Sequence, residues 1–186
     1  MKVDRARAEQ AIEAFLYAIG RDPSSEAELQ GTAARVTAAF VDELCDGYTK
    51  DPRALVRDNI VTGTTAVVAL RDVPVATTCP HHLMPATGVG TIAYAPREKL
   101  VGLGVLAELL DTFAHRLTLQ EEIGEQVVAT LSQELDARWV ACRLVLHHGC
   151  VTARGERKHG TTAESVAFAG READRALALT VVRGLV

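Results

Sequence analysis

The chain has 186 residues, a length that fits one domain with an appendage and leaves enough chain for a sizeable core. Hydrophobic residues make up 48% of it, which excludes a disordered segment, and a formal net charge of -4 with 4% aromatic residues excludes the basic face and stacking platforms of a general nucleic-acid binder. No apolar run approaches the roughly 20 residues of a membrane span, so no membrane partner is expected. Met1-Lys2-Val3-Asp4-Arg5 is charged and runs into an amphipathic pattern instead of a signal peptide. The expected location is the cytoplasm, where disulfides are rare and clustered Cys and His residues more often serve metals.

In chain order, Ala11, Ile12, Phe15, Leu16 and Ile19 recur at helical spacing up to Gly20. Asp22-Pro23 reads as a cap followed by the first position of a helix. Thr32 predicts the cap of another, with Val36, Phe40 and Leu44 on one face and Gly47 at its end. Residues 1–58 are therefore expected to form a helical appendage, and residues 59–186 the main domain. The Val- and Thr-rich stretch 64–70 and the weakly alternating stretch 73–78 read as strands leading to Cys79, with Pro74 marking an edge or a bulge. Residues 87–94 read as another strand.

Leu103, Leu106, Leu109, Leu110, Phe113 and Leu117 mark one helix, and Ile123, Val127, Leu131 and Leu135 the next. From Trp139 to His148 the pattern alternates. Val140, Cys142, Leu144, Leu146 and His148 share the core-type face, and Trp139, Ala141, Arg143, Val145 and His147 the outward one. Residues 154–162 read as a solvated polar loop, 163–169 as a last strand and 172–182 as a last helix. This order predicts an α+β domain with an antiparallel sheet.

The chemistry concentrates in Cys79-Pro80-His81-His82-Leu83-Met84-Pro85 and His147-His148-Gly149-Cys150, which hold four of the six histidines and two of the four cysteines. Zinc takes thiolate and imidazole ligands, and a catalytic zinc keeps three protein ligands and a water. At the spacing of Cys79 and His82 a turn offers both side chains to one ion, and Cys150 from a distant strand completes a Cys2His set. Zinc lowers the pKa of its water to about 7. His81 and His148 then fall beside the metal as general acids or bases. The competing arrangement is a closed Cys2His2 site with His148 or His81 as fourth ligand. Spacing alone leaves both open, as it does a site without metal. Cys45 and Cys142 fall on core patterns and read as ordinary buried cysteines. Gln120-Glu121-Glu122 opens the second of the paired helices. Acidic residues there suit the helix dipole, and an amide–carboxylate pair equally suits the N–H and C=O edge of a heterocycle.

Four segments, Cys79 to Pro85, Val101-Gly102-Leu103, Gln120-Glu121 and His148-Gly149-Cys150 with Arg154-Gly155, resemble GTP cyclohydrolase I in order and spacing. Ile19-Gly20-Arg21-Asp22-Pro23 and Thr32 to Val36 resemble that family's front end, so the resemblance spans nearly the whole chain. It implies a tunnelling fold, an antiparallel sheet with two helices on one face. It implies assembly into a ring-shaped homo-oligomer, often a decamer, with active sites between subunits. It implies zinc held by Cys79, His82 and Cys150, and hydrolytic opening of a purine substrate at C8. By the same analogy His81 protonates the imidazole nitrogen and His148 is a second acid or base. Glu121, helped by Gln120, anchors the pyrimidine edge, and Arg154 remains as a substrate-binding cation.

The departures lie at the phosphate end. Pro80 stands where the family usually has Glu. Gly104, Val105 and Glu108 stand where it has Ser, Lys and Arg for the triphosphate, and Ala38 replaces a further basic residue, while Arg35 and Arg154 remain. A triphosphate carries about four negative charges and needs several cationic partners. The sequence therefore predicts a purine base or nucleoside without triphosphate. An 8-oxopurine such as urate or 8-oxoguanine fits, because its C8 is already an electrophilic carbonyl carbon. Two other readings stand beside this one. One is a genuine GTP cyclohydrolase I making dihydroneopterin triphosphate, with Arg157, Lys158 or His159 compensating. The other is a non-catalytic relative that binds a purine or pterin.

Overall fold

The computed structural model describes residues 3–63, 66–155 and 157–185. The chain begins with α1 (Arg5–Ala18), capped by the Asp4 carboxylate, which accepts from the backbone N–H of Arg7. Asp22 does not start a helix. Its carboxylate accepts from the backbone N–H and the hydroxyl of Ser24, so it closes a turn around Pro23 and only a short 3-10 helix, Ala27–Leu29, follows. The next helix, α2 (Thr32–Ala38), is preceded by Gly31 at φ 72, which takes the cap position expected for Thr32. It runs into a π-helical turn, Ala39–Leu44. A 3-10 turn at Asp46–Thr49 leads to α3 (Pro52–Arg57), a helix the periodicity does not show. Its signal is local: Asp51 accepts from the N–H groups of Arg53 and Ala54, and Pro52 fills the first turn.

A short ribbon pairs β1 (Val61–Thr62) with β4 (Lys99–Leu100). The main sheet is antiparallel, built from β2 (Val68–Thr78), β3 (Pro85–Ala95), β5 (Trp139–His148) and β6 (Ala163–Gly170) in the order β2-β3-β5-β6. The two strands expected at 64–70 and 73–78 are one strand with a kink. Its register shifts between Leu70 and Val73, where Asp72 takes φ 53. Thr64 and Thr65 lie outside the described residues. Because β2 is an edge strand, Pro74 costs the sheet no central hydrogen bond.

Helices α4 (Leu103–Ala114) and α5 (Gln120–Leu135) cover one face of this sheet. Leu106, Leu109, Leu110, Ile123, Val127 and Leu131 pack there against Ile92, Tyr94, Leu144 and Leu146. This is the α+β arrangement, two helices on one face of an antiparallel sheet, that the sequence predicts. Cys142 belongs to that core, where burial pushes its thiol up to about 12. The opposite face of β5 differs from the expectation. Trp139 and Ala141 do not face water, because α7 (Glu172–Val182) lays Ala178, Val181 and Val182 over them and over Ala93 and Ala95. A second, short helix, α6 (Gly149–Thr152), continues directly from β5. Among the described residues no helix is long and apolar enough to cross a membrane.

The helical front end is locked to α4 at Gly47. A Cβ there would lie 2.3 Å from the Thr112 carbonyl oxygen and 2.7 Å from that of His115. Both are backbone atoms, so no rotamer change relieves the clash. Gly47→Ala is expected to lower folding stability by about 1–3 kcal/mol, read as a lower urea midpoint at unchanged slope. A loss below about 0.5 kcal/mol would show that the turn shifts freely.

Candidate metal centre and adjoining cleft

Strand register brings the two Cys/His segments together. Thr78 pairs with Pro85 and Ala86 pairs with His148, so the β2–β3 turn and the end of β5 are neighbours. That turn is tight. The Cys79 N–H donates to Met84 O at 3.0 Å, the Leu83 N–H donates to Cys79 O at 2.9 Å, and Leu83 takes φ 51. Gly149 lies against it, and a Cβ at that position would be 2.9 Å from Pro85 O. The missing side chain lets Cys150 close on the turn.

One ligand atom each from Cys79, His82 and Cys150 lies within 4.8 Å of the others, a group able to hold a metal ion. Neither His81 nor His148 belongs to this group, so the geometry gathers three donors, the number a catalytic zinc takes from its protein. Two soft thiolates and an imidazole suit zinc. Without a cation, burial and then the neighbouring Cys79 sulfur push the Cys150 thiol up. A divalent cation held by this group would reverse that balance by stabilising the thiolates. All four cysteines are free thiols.

Beside the donors lies a cleft of about 190 Å³, lined by Thr77, Cys79, His81, Ala86, Thr118, Leu119, Gln120, Glu121, His148 and Cys150. The segment 115–117, which leads into the wall residues Thr118 to Glu121, is held from the front end of the chain. His115 Nδ1 lies 2.8 Å from Asp46 Oδ1, the Arg116 guanidinium donates to Gly47 O at 3.0 Å, and the Leu117 N–H donates to the Tyr48 hydroxyl at 3.2 Å. Arg116 also stands over the Phe113 ring, 4.9 Å from its centroid. The three hydrogen-bonded anchors carry no sequence signal, since each depends on a partner dozens of residues away.

The two glutamates at the start of α5 divide their work. The Glu122 carboxylate accepts from the Thr118 hydroxyl at 2.9 Å and the Leu119 N–H at 3.4 Å, which closes the helix cap. Glu121 is the one that lines the cleft. Gln120 is 3% exposed and its amide is occupied within the protein. Its nitrogen lies 3.1 Å from Leu144 O, Ala163 O and Ser165 Oγ, and its oxygen lies 2.7 Å from His148 Nε2. Ser165, on β6, is a member of this network that the sequence does not single out.

The two arginines expected near a phosphate are not among the residues lining the cleft. The Arg35 guanidinium donates to Gln30 O at 2.9 Å and to the Thr32 hydroxyl at 3.0 Å, so it is engaged by its own helix start. Arg154 is exposed just past α6 and does not line the cleft.

The family model described as GTP cyclohydrolase I matches residues 8–185. Curated relatives carry the name GTP cyclohydrolase 1. The one from Leifsonia xyli subsp. xyli is 38% identical over 175 residues, covering 93% of this chain and 91% of the relative. One from Corynebacterium glutamicum is 37% identical over 187 residues, covering 97% and 94%. One from Streptomyces coelicolor is 35% identical over 173 residues, covering 92% and 85%. A match of this length, on a chain that gathers two cysteines and a histidine beside a cleft, places the protein in the GTP cyclohydrolase I family, whose members are zinc-dependent hydrolases of a cyclic amidine.

Proposed function

We propose that this protein opens the imidazole ring of a purine at C8 by zinc-dependent hydrolysis, and that the purine is GTP, as the names of its relatives support. The observation that carries the reading is the Cys79, His82 and Cys150 donor group at the wall of a cleft that also holds His81, His148 and Glu121. Zinc held by these three residues supplies Lewis acidity and a bound water with a pKa of about 7. His81 is the proton donor to the imidazole nitrogen as the C8–N bond breaks, and His148 handles the second proton. Glu121 accepts the N–H groups of the pyrimidine edge, a pairing of carboxylate with adjacent donors that also fixes which way the ring enters.

The cleft volume of about 190 Å³ lies below the roughly 300–1,000 Å³ of pockets for drug-sized ligands. It suits the flat base alone. Ribose and phosphates would extend outward, where a homo-oligomeric ring, such as a decamer with sites at subunit interfaces, would supply the rest of the wall. Arg154 would meet the outer part of the substrate there. In this reading residues 1–58 are an appendage to a catalytic domain at 59–186, and the free thiols suit the cytoplasm.

A second reading rests on the start of α4, Leu103-Gly104-Val105-Leu106-Ala107-Glu108, which carries no cation where the family pattern places Lys and Arg. Each charged partner removed from a triphosphate complex costs roughly 2–5 kcal/mol. That favours a purine without triphosphate, the substrate the sequence alone predicts, whereas the relatives' names favour GTP. The two readings separate in one experiment: parallel turnover of GTP, guanosine, guanine, 8-oxoguanine and urate by zinc-loaded protein, followed by loss of purine absorbance and by product mass. GTP turnover supports the first. Selective turnover of an unphosphorylated purine with the mass of one water gained supports the second and overturns GTP as the substrate.

A further inference from the structure

Gln120 determines more than its own packing. Its side chain sits between β5 and β6, with the amide nitrogen 3.1 Å from Leu144 O and 3.1 Å from Ala163 O. Both are backbone carbonyls, which only accept. Turning the amide over would set its oxygen against those two oxygens, so the nitrogen end must face them. The amide oxygen then faces His148 Nε2 at 2.7 Å. An amide oxygen also only accepts, so the hydrogen in this contact belongs to the imidazole.

From this chain of contacts we infer that Gln120 is a positioning residue that keeps a proton on His148 Nε2, so that the neutral form of this imidazole is the Nε2–H tautomer with its lone pair on Nδ1. The inference rests on the catalytic role proposed above for His148, and it gives that role a direction. Nε2 is spent on Gln120 and is not a metal donor, in keeping with the absence of His148 from the Cys79, His82 and Cys150 group. In that tautomer Nδ1 accepts a proton and has none to give, which leaves the first proton delivered to substrate to another group, and His81 is the remaining imidazole lining the cleft. The buried amide is a rigid choice for this task. It is held at the nitrogen end by two strands, and the Ser165 hydroxyl at 3.1 Å adds a third contact. Outer partners of this kind, which fix the tautomer of an imidazole at a metal site, typically matter by about 10–100-fold in affinity or activity.

The test uses the zinc-loaded full chain with 15N-labelled histidine in solid-state NMR, at a pH of about 8 where imidazole is ordinarily neutral. A His148→Asn sample identifies the His148 signals by their loss. The expected spectrum has a protonated, pyrrole-type Nε2 and an unprotonated, pyridine-type Nδ1. A His148 whose single proton sits on Nδ1 overturns the inference. No substrate enters this measurement, so it stands whichever purine is turned over, and it stands if none is. The kinetic counterpart is Gln120→Leu, expected to lower kcat by about 10–100-fold with KM changed by less than about 3-fold. A rise in KM with kcat preserved would make Gln120 a substrate-binding group and overturn the positioning role.

Discussion

Cys150→Ala is expected to abolish stoichiometric zinc and to lower purine turnover by more than about 100-fold, beyond the range seen when only a supporting partner of a ligand is removed. The donor group consists of three side chains, and the two left behind, Cys79 and His82, come from a single turn with no support from β5. Cys150 also supplies the charge that a second thiolate brings to the ion. The substitution should leave the fold intact. Cys150 is half-buried at the end of the sheet and lies outside the residues that pack α4 and α5 onto the strands. The urea midpoint of the metal-free variant should match that of metal-free wild type within about 0.5 kcal/mol. Zinc content by metal analysis and turnover under the same conditions decide the matter. A Cys150→Ala protein that keeps both zinc and activity would remove Cys150 from the ligand set.

His81→Asn should separate metal binding from proton transfer. His81 lines the cleft beside the donors but is not one of them. Zinc content should therefore stay at one per chain while kcat falls by about 10²–10⁴, the usual share of a positioned general acid. KM should change little, because in the proposed function the pyrimidine edge pairs with Glu121, which lies on a different element. Loss of zinc together with activity would make His81 a ligand and restore the closed Cys2His2 site. Full activity would pass the proton to His148 or to solvent.

The parts of this structure that were legible in the sequence are those set by local period or spacing. β5 was readable to the residue, Trp139 to His148, because its alternation of side chains has one face under α4 and α5. Glu172–Val182 was equally readable as a helix. The Cys79 and His82 pair was visible because both belong to one turn, whereas the nearness of Cys150 depends on the pairing of β3 with β5.

What stayed hidden depends on partners distant in sequence. The covering of Trp139 by α7 follows from where the last helix docks, which alternation does not encode. The occupied amide of Gln120 depends on carbonyls from β5 and β6, so the same residue read in isolation suggests a group free to bind a heterocycle. Asp22-Pro23 misleads for a local reason, since an Asp that accepts from Ser24 closes a turn as readily as it caps a helix. The missing cations at the start of α4 were plain in the sequence, yet their consequence for substrate depends on which groups meet the outer part of the substrate, which a residue-by-residue reading does not give.

The most direct measurement of the central claim is GTP turnover by one preparation in three states: zinc-loaded, chelator-stripped and zinc-restored, with products identified by mass. The account predicts that the zinc-loaded and restored protein open the purine ring and carry GTP to dihydroneopterin triphosphate, while the stripped protein leaves it unchanged. Equal turnover in all three states, or an intact purine ring in every state with GTP and with the unphosphorylated purines alike, would contradict it.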